Sequence, residues 1–491
     1  MSKAYIIGAG PGDEGLLTLK AVKVMKECTA VLYDRLIGNN VLSYLNEDCE
    51  VYFCGKEPGC HYKTQDEINA MLVELAKKGH TVGRIKGGDP YVFGRGGEEV
   101  LALEEENIPF EVIPGVTSAV AVMSYAGIPI THRGLSQGFH VLTGMSAATL
   151  NIQWEVLTKS QNTIVFLMGL ENLGDIVKNL VENGKPKDTP CGVIMRGTTA
   201  KQKKVIGTLE NIEELVKNNG LKSPSIIVVG KVVTLNDKLN WFEKLPLFGA
   251  NVCVTRTKEQ AGSMKAKLRS FGAEVTEIPA IKIVNTSDNL NTYKDEFDSF
   301  DYIILTSVNG VNIFFDYLKD NNIDVRKIKA EFAVIGKATL KALSERGIVA
   351  SVMADEFVAE GLVKQLESHE LKSKKVLMPI SKNSRNLVGE FLKEQDAEVY
   401  RIHTYETQKA DFRNLNAFDS VNTIIFTSPS TVNNLIEAVG IDKVKDKLCI
   451  AIGPITYKAL KDKAVDAVLS EVHSEDGAID KLIKVWGDRN V

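Results

Sequence analysis

The chain opens on YIIGAGPGDEGLLTLKA, Tyr5 to Ala21. A short apolar run ends in glycines and passes into a helical pattern. This is the strand–turn–helix start of an α/β domain, where the first turn often carries a ligand. A dinucleotide turn needs Gly-x-Gly-x-x-Gly. Gly8 and Gly10 fit it, but Asp13 stands where the third glycine should be. Pro11 removes an amide donor where a pyrophosphate would seek one. Asp13 and Glu14 place carboxylates at a helix beginning near residue 14, which suits the helix dipole and repels phosphate. Asp34, ending AVLYD, is spaced like the ribose-binding acid of dehydrogenases. The anion-binding part of the turn is nonetheless chemically wrong for a nicotinamide dehydrogenase. A plain tight connection capped by Asp13 is the alternative that the glycines leave open.

Outward from this turn, apolar strand-like runs alternate with helical patterns. In EINAMLVELAKKG, residues 67–79, Ile68, Met71, Leu72 and Leu75 recur at helical spacing. The alternation predicts an α/β chain of parallel sheets covered by helices. The 491 residues suggest roughly three or four domains. A first subdomain covers about 1–114. A second, about 115–245, draws its strands from NTIVFLMG, PCGVIMRG, KKVIGTLENIEELV and PSIIVVGKVV. A linker with Pro246 and Gly249 precedes a new first strand, so the chain divides near Phe248. The remainder repeats itself. Val252–Val275 aligns without gaps to Val376–Val399, Ile303–Asn312 matches Ile424–Asn433, and Val334–Leu343 resembles Ala451–Leu460. Each unit reads strand, Thr/Ser turn, helix. Two similar lobes facing across a cleft are expected, and duplication without surviving chemistry at a given turn is the bland alternative.

The net charge of −4, from 59 basic and 63 acidic side chains, argues against broad binding to nucleic acid or anionic membrane. No apolar run reaches the ~18 residues of a membrane span. The chain runs straight into a strand without a charged and apolar leader. Its seven cysteines are too few for a disulfide framework. A cytoplasmic protein with reduced thiols is expected. Cys49, Cys54 and Cys60 precede His61, but not at the paired spacing of zinc ligands, so no metal is expected.

A second glycine cluster, RIKGGDPYVFGRGGEE, spans Arg84–Glu99. Gly87 and Gly88 let backbone approach a flat ligand. Asp89 can accept hydrogen bonds, and Arg95 can recognise a carboxylate. IPGVTSA places Thr117 and Ser118 at a helix start, and GIPITHRG brings His132 and Arg133.

In this order, with GAGPGD, VLYDRL, a GK with a downstream Q, FLMG and RGTT, these elements resemble the tetrapyrrole methylase family, most of all uroporphyrinogen-III C-methyltransferase. The likeness covers about residues 1–245. It implies S-adenosylmethionine as methyl donor, bound between two α/β domains. By position, Pro11, Gly87, Gly88, Asp89, Val92, Thr117, Ser118, Met168 and Gly197 would line the donor site. Asp34 and Lys56 match the family's proton acceptor and donor, and Glu57 stands where an arginine usually follows that lysine. A sulfonium donor needs no pyrophosphate cradle. The substrate implied is a porphyrinogen rich in carboxylates, whose electron-rich carbons need mainly alignment and desolvation to take a methyl group. Arg35, Lys56, Arg95 and Arg133 are candidates to pair with those carboxylates, with ordinary surface pairs as the alternative. Met168 fits a core as well as a ligand contact.

The second half, about 248–491, resembles uroporphyrinogen-III synthase through its repeat and through LTSVNGV, AVIGKAT, FVAEGL, HTYET and FTSPSTV. This implies two lobes, one of about 248–283 plus 408–491 and the other about 284–407, with crossings near Ile283 and Thr407. The implied reaction closes hydroxymethylbilane with inversion of the last ring and needs no cofactor. The Thr306–Ser307 and Thr427–Ser428 turns open helices whose amides can take substrate carboxylates. Tyr405 matches a family tyrosine that helps the hydroxyl leave, unless it is a strand tyrosine packed at the lobe hinge. Together the resemblances imply a bifunctional enzyme that makes precorrin-2 for sirohaem and corrinoid synthesis. Its partners would be small tetrapyrroles and, through the first half, a second copy of itself. A methylase of another tetrapyrrole joined to a non-catalytic binding module is the alternative.

Overall fold

The computed structural model describes residues 2–38, 40–55, 63–145, 152–255, 258–278, 281–354, 359–409 and 415–489. Strands are numbered in chain order. The chain forms two compact units, one of Met1–Thr255, Gln260–Ile278 and Asn414–Val491, the other of Arg256–Glu259 and Pro279–Arg413.

The first sheet holds Ala4–Gly8 (β1), Ala30–Tyr33 (β2), Glu50–Phe53 (β3), Val82–Lys86 (β4) and Phe110–Ile113 (β5). Its order is β3-β2-β4-β1-β5, all parallel. Every residue of β1 and β4 is buried, as expected of a sheet covered on both faces. Ile7 and Ile85 pack under the helix Leu19–Met25. Ile6 and Val82 pack under Gln65–Lys77 and Gly96–Glu105. The carboxyl ends of β1, β4 and β5 therefore share one edge, where open α/β sheets hold ligands. The helix expected from residue 14 is divided. Glu14–Leu16 is a single 3-10 turn capped by Asp13, and the α-helix starts only at Leu19, capped by Thr18. Two capping side chains five residues apart each start their own turn.

The second sheet holds Phe139–Thr143 (β6), Thr163–Leu167 (β7), Pro190–Met195 (β8), Lys203–Thr208 (β9) and Ser225–Val229 (β10), in the order β6-β7-β10-β8-β9. Only β6 and β7 are parallel; the other pairings are antiparallel. This corrects the expectation of parallel sheets throughout. Residues 196–202 are too short for a crossover, so β8 and β9 close as a hairpin.

The third sheet joins Asn251–Val254 (β11) and Glu274–Glu277 (β12) to three late strands, Thr423–Phe426 (β19), Leu448–Ala451 (β20) and Ala467–Leu469 (β21). Its order is β12-β11-β19-β20-β21, all parallel. The fourth sheet holds Ile281–Asn285 (β13), Tyr302–Leu305 (β14), Glu331–Val334 (β15), Val352–Met353 (β16), Lys375–Ser381 (β17) and Glu398–Lys409 (β18), in the order β13-β18-β17-β14-β15-β16. Apart from the antiparallel β13, it too is parallel. The sequence repeats map onto matching strands: β11 and β12 onto β17 and β18, β19 onto β14, and β20 onto β15. The two sheets thus share one five-strand order. They differ in where the chain enters, since the strand pair that begins one sheet ends the other.

Candidate functional site

Three strand-end loops meet at the carboxyl edge of the first sheet, too closely for side chains. A Cβ on Gly8 would lie 2.4 Å from Gly115 N, and one on Gly115 would lie 2.2 Å from Gly88 O. Gly10 N donates to Gly88 O at 3.2 Å, and Gly88 N returns a bond to Gly10 O at 2.7 Å. Asp89 knits the loops further, accepting from Gly115 N at 3.1 Å and Tyr91 N at 2.9 Å. Val92 N closes the following turn onto Asp89 O. A Cβ on Gly88 would have one neighbour within 4 Å, Ser118 N at 3.8 Å. That open face is the space a flat ligand can use. Thr117 caps the helix Ser118–Tyr125, which starts there.

The loop that follows β8 packs against that helix. A Cβ on Gly197 would strike Val122 Cγ1 at 2.3 Å. Next to it, Thr198 Oγ1 accepts from Asp13 N at 3.2 Å. Met168, Arg196 and Thr198 all take positive φ, 56°, 46° and 68°, conformations that cluster where function holds the backbone. Met168 is 45% exposed, so it is no core residue. The loops carrying Pro11, Gly87, Gly88, Asp89, Thr117, Ser118 and Gly197 therefore converge. The two acids of the opening turn are already engaged. Asp13 accepts from Gly15 N and Tyr125 OH, each at 2.7 Å, and Glu14 is turned to Lys265 and Arg269.

Asp34 follows β2, and its loop abuts the glycine cluster through Leu36 O, 3.0 Å from a Cβ on Gly87. Arg84 Nη2 donates to Asp34 Oδ1 at 2.6 Å, and Arg84 Nε to Glu99 Oε1 at 2.9 Å. Lys86 Nζ joins the same Glu99 oxygen at 2.8 Å. Arg84 and Glu99 are 2% and 0% exposed, whereas 31% of the Asp34 side chain reaches solvent. Glu99 Oε2 meets no partner among the described residues. Burial opposes the charge on Arg84, but Asp34 and Glu99 outweigh it and raise its pKa. Burial and the neighbouring Arg84 lower that of Lys86. A permanent cation therefore fixes one oxygen of Asp34 at the lip of the crevice. The sequence reading missed Arg84, Lys86 and Glu99. The available signal was two cations at alternate positions of a strand, hence on one buried face, which requires a carboxylate between them.

Lys56 and Glu57, with Cys60 and His61, lie outside the described residues. Arg35 and Arg133 are exposed. Arg95 is held by Glu98 of its own helix, Nε at 2.8 Å and Nη2 at 2.7 Å, the arrangement of a surface pair. Among the described residues no group of His, Cys, Asp and Glu is placed to hold a metal, and no helix is long and apolar enough to cross a membrane.

In the fourth sheet, Ser307 caps the helix Val308–Asp320, accepting from Gly310 N at 3.0 Å. Its hydroxyl also shares a 2.7 Å hydrogen bond with Tyr405 OH. Tyr405 is buried, and burial outweighs the Ser307 bond and raises its pKa, so the hydroxyl stays protonated. In the third sheet, Ser428 caps Pro429–Val439 in a reciprocal box with Thr431. Thr306 and Thr427 are the half-buried residues just before these caps. Each Thr–Ser turn ends the strand beside which the order reverses, β14 next to β17 and β19 next to β11. That switch point is where doubly wound sheets bind ligands.

A glycine-lined crevice with a fixed carboxylate, followed by two sheets of one doubly wound design, defines a two-part α/β enzyme. Comparison with known proteins specifies the parts. The family model for tetrapyrrole (corrin/porphyrin) methylases matches residues 3–213, and that for uroporphyrinogen-III synthase HemD matches residues 262–480. A porphyrin biosynthesis protein HemD of Ruminiclostridium josui is 36% identical over 492 residues, 98% of each chain. A uroporphyrinogen-III C-methyltransferase of Bacillus subtilis is 40% identical over 71% of this chain and 72% of its own. One from Methanocaldococcus jannaschii is 49% identical over 48% of this chain and 98% of its own. The chain belongs to the family that joins a tetrapyrrole methylase to a uroporphyrinogen-III synthase of the HemD type.

Proposed function

We propose that the chain converts hydroxymethylbilane to precorrin-2 in two reactions. The half from about 248 closes the linear tetrapyrrole to uroporphyrinogen III, and the half up to about 245 transfers two methyl groups to it. The observation that carries this reading is Asp34, fixed by buried Arg84 beside a glycine crevice without a phosphate cradle. S-adenosylmethionine supplies an electrophilic methyl group when bound. Gly87 and Gly88 bring backbone against the donor, with Pro11, Asp89, Val92, Thr117, Ser118, Met168 and Gly197 around it. Alignment and exclusion of water do most of the work on an electron-rich ring carbon. Asp34 then takes the proton that leaves the macrocycle, and Lys56 serves as proton donor. Arg35 and Arg133 pair with substrate carboxylates at the rim, and Arg95 does so by exchanging Glu98 for one of them.

In the synthase half, Tyr405 OH, oriented by Ser307, donates a hydrogen bond to the departing hydroxyl. The helix-opening turns at Thr306–Ser307 and Thr427–Ser428 hold carboxylates of the bilane. Holding the chain in the shape that inverts its last ring lowers the entropic cost of closure. The enzyme acts in the cytoplasm, as a homodimer through its methyltransferase half. The test is to incubate the purified chain with hydroxymethylbilane, with and without S-adenosylmethionine. Uroporphyrinogen III should form without the donor, and a dimethylated product with it. Only the uninverted ring isomer would overturn the synthase reading, and an unmethylated product the other.

A further inference from the structure

The opening turn is held from outside its own domain. Glu14 is 5% exposed and lies one residue beyond the Asp13 cap. Its carboxylate accepts from Lys265 Nζ at 2.6 Å, from Arg269 Nη2, from Asn40 Nδ2 at 3.0 Å and from Tyr44 OH. Lys265 and Arg269 are four residues apart on the helix Lys258–Ser270, so one face presents both to the same carboxylate. Lys265 also pairs with Glu277. Glu14, Glu277, Lys265 and Arg269 thus form a neutral cluster of two acids and two cations.

Two further loops are gripped by the same corner. The strand β12 is the edge of the third sheet, so its outward backbone groups need partners. The side-chain amide of Asn40 supplies them, donating to Val275 O and accepting from Glu277 N at 3.2 Å. Ala200 N donates to Glu274 Oε2 at 3.1 Å. The three gripped loops are those that carry Pro11–Glu14, Gly38 with Asn40, and Gly197–Ala200. They also touch one another: a Cβ on Gly38 would lie 2.5 Å from Gly12 O, and one on Gly12 would lie 2.8 Å from Thr199 Cγ2. A cavity remains between them, walled by Gly12, Asp13, Thr198, Arg269 and Val275.

A buried ion cluster need not add net stability, but removing one partner leaves the others uncompensated. Glu14 sits three residues from Pro11. The same turn bonds the Gly88 loop through Gly10, and Thr198 through Asp13. We propose that the first lobe of the synthase half clamps the methyl-donor loop of the methyltransferase half, with Lys265 and Arg269 acting through Glu14 as positioning residues for the donor. The clamp rests on the donor site assigned above. It makes methyl-donor affinity in this chain a property of a contact supplied by the other enzyme.

The test uses the full-length chain and the variants Glu14→Gln, Lys265→Gln and Arg269→Met, together with the double reversal of Glu14→Arg with Arg269→Glu. S-adenosylmethionine binding is measured by calorimetry without tetrapyrrole, and kcat and KM for both reactions are measured separately. The single variants should weaken donor binding and raise its KM about tenfold, in the range of coupling between sites. Methyl-transfer kcat at saturating donor and the closure of hydroxymethylbilane should stay near wild type, and the reversal should recover part of the affinity. Unchanged donor affinity in folded single variants overturns the clamp, even where their melting temperatures fall. A wild-type chain that binds no S-adenosylmethionine overturns the donor site itself, and the clamp with it. Donor binding without methylation of uroporphyrinogen III overturns only the substrate assigned above, and the clamp is then judged on calorimetry alone.

Discussion

Asp34 is held at one oxygen by a cation that is itself held by Glu99. Converting Asp34→Asn keeps the shape and removes the proposed base. Methyl transfer should fall by about 10²- to 10⁴-fold, with hydroxymethylbilane closure unchanged, as read from product formation in separate assays. Arg84→Met takes the fixed cation from Asp34 and one of two cations from fully buried Glu99, which keeps Lys86, and should cost about 1–3 kcal/mol in denaturant unfolding. Tyr405→Phe leaves the Ser307 cap but removes the phenol. Closure of hydroxymethylbilane should slow while methyl transfer stays unchanged; equal loss of both would point to misfolding. The position of Asp34 was legible because it follows a strand in an ordered set of motifs. Glu99 was not, because a run of GGEE at a helix start reads as solvated acid, and only the tertiary fold turns it onto Arg84 and Lys86.

At the scale of an element, the crevice depends on backbone meeting backbone. Gly115→Ala would place a methyl group 2.2 Å from Gly88 O, where no side chain can yield. The variant should lose S-adenosylmethionine binding in calorimetry and melt at lower temperature. Gly97→Ala is the control. It sits in the helix Gly96–Glu105 with nothing within 4 Å of the added carbon, and should gain about 0.5–1 kcal/mol. The strand–turn–helix units of the second half could be read in sequence because they are local and repeated: VCV, from Val252, and VLMPIS, from Val376, both became strands beside a Thr–Ser turn strand. Strand direction in the second sheet could not. PSIIVVG reads the same in either direction, and its placement between β7 and β8 is set by a short hairpin and by packing, not by its own residues.

The whole molecule is sensitive to acid through Glu14. Burial raises its pKa, but Arg269 and Lys265 outweigh burial and hold it below the ordinary 4.5. Tyr44, facing it, is pushed up by burial and by Glu14 and stays a donor; Glu277 and Asn40 complete the surroundings. A carboxyl with a lowered folded pKa stabilises fully above its unfolded value and loses that stabilisation as pH falls through the folded one. The melting temperatures of wild type and Glu14→Gln should therefore differ at neutral pH and converge below pH 4.5. A constant gap in differential scanning would count against this account of the cluster.

The different entry points of the chain into the two matching sheets bear on how the protein is made. The strands of the fourth sheet all lie between residues 281 and 409, so a nascent chain can finish it early. The third sheet cannot close then, because Val252 of β11 pairs with Thr423. One edge of β11 waits, unpaired, for residues the ribosome has yet to add, and an open strand edge invites association with other chains. A translation product that stops before Thr423 thus carries Lys265 and Arg269 on an unfinished lobe, and a stalled message forfeits more than its last helix.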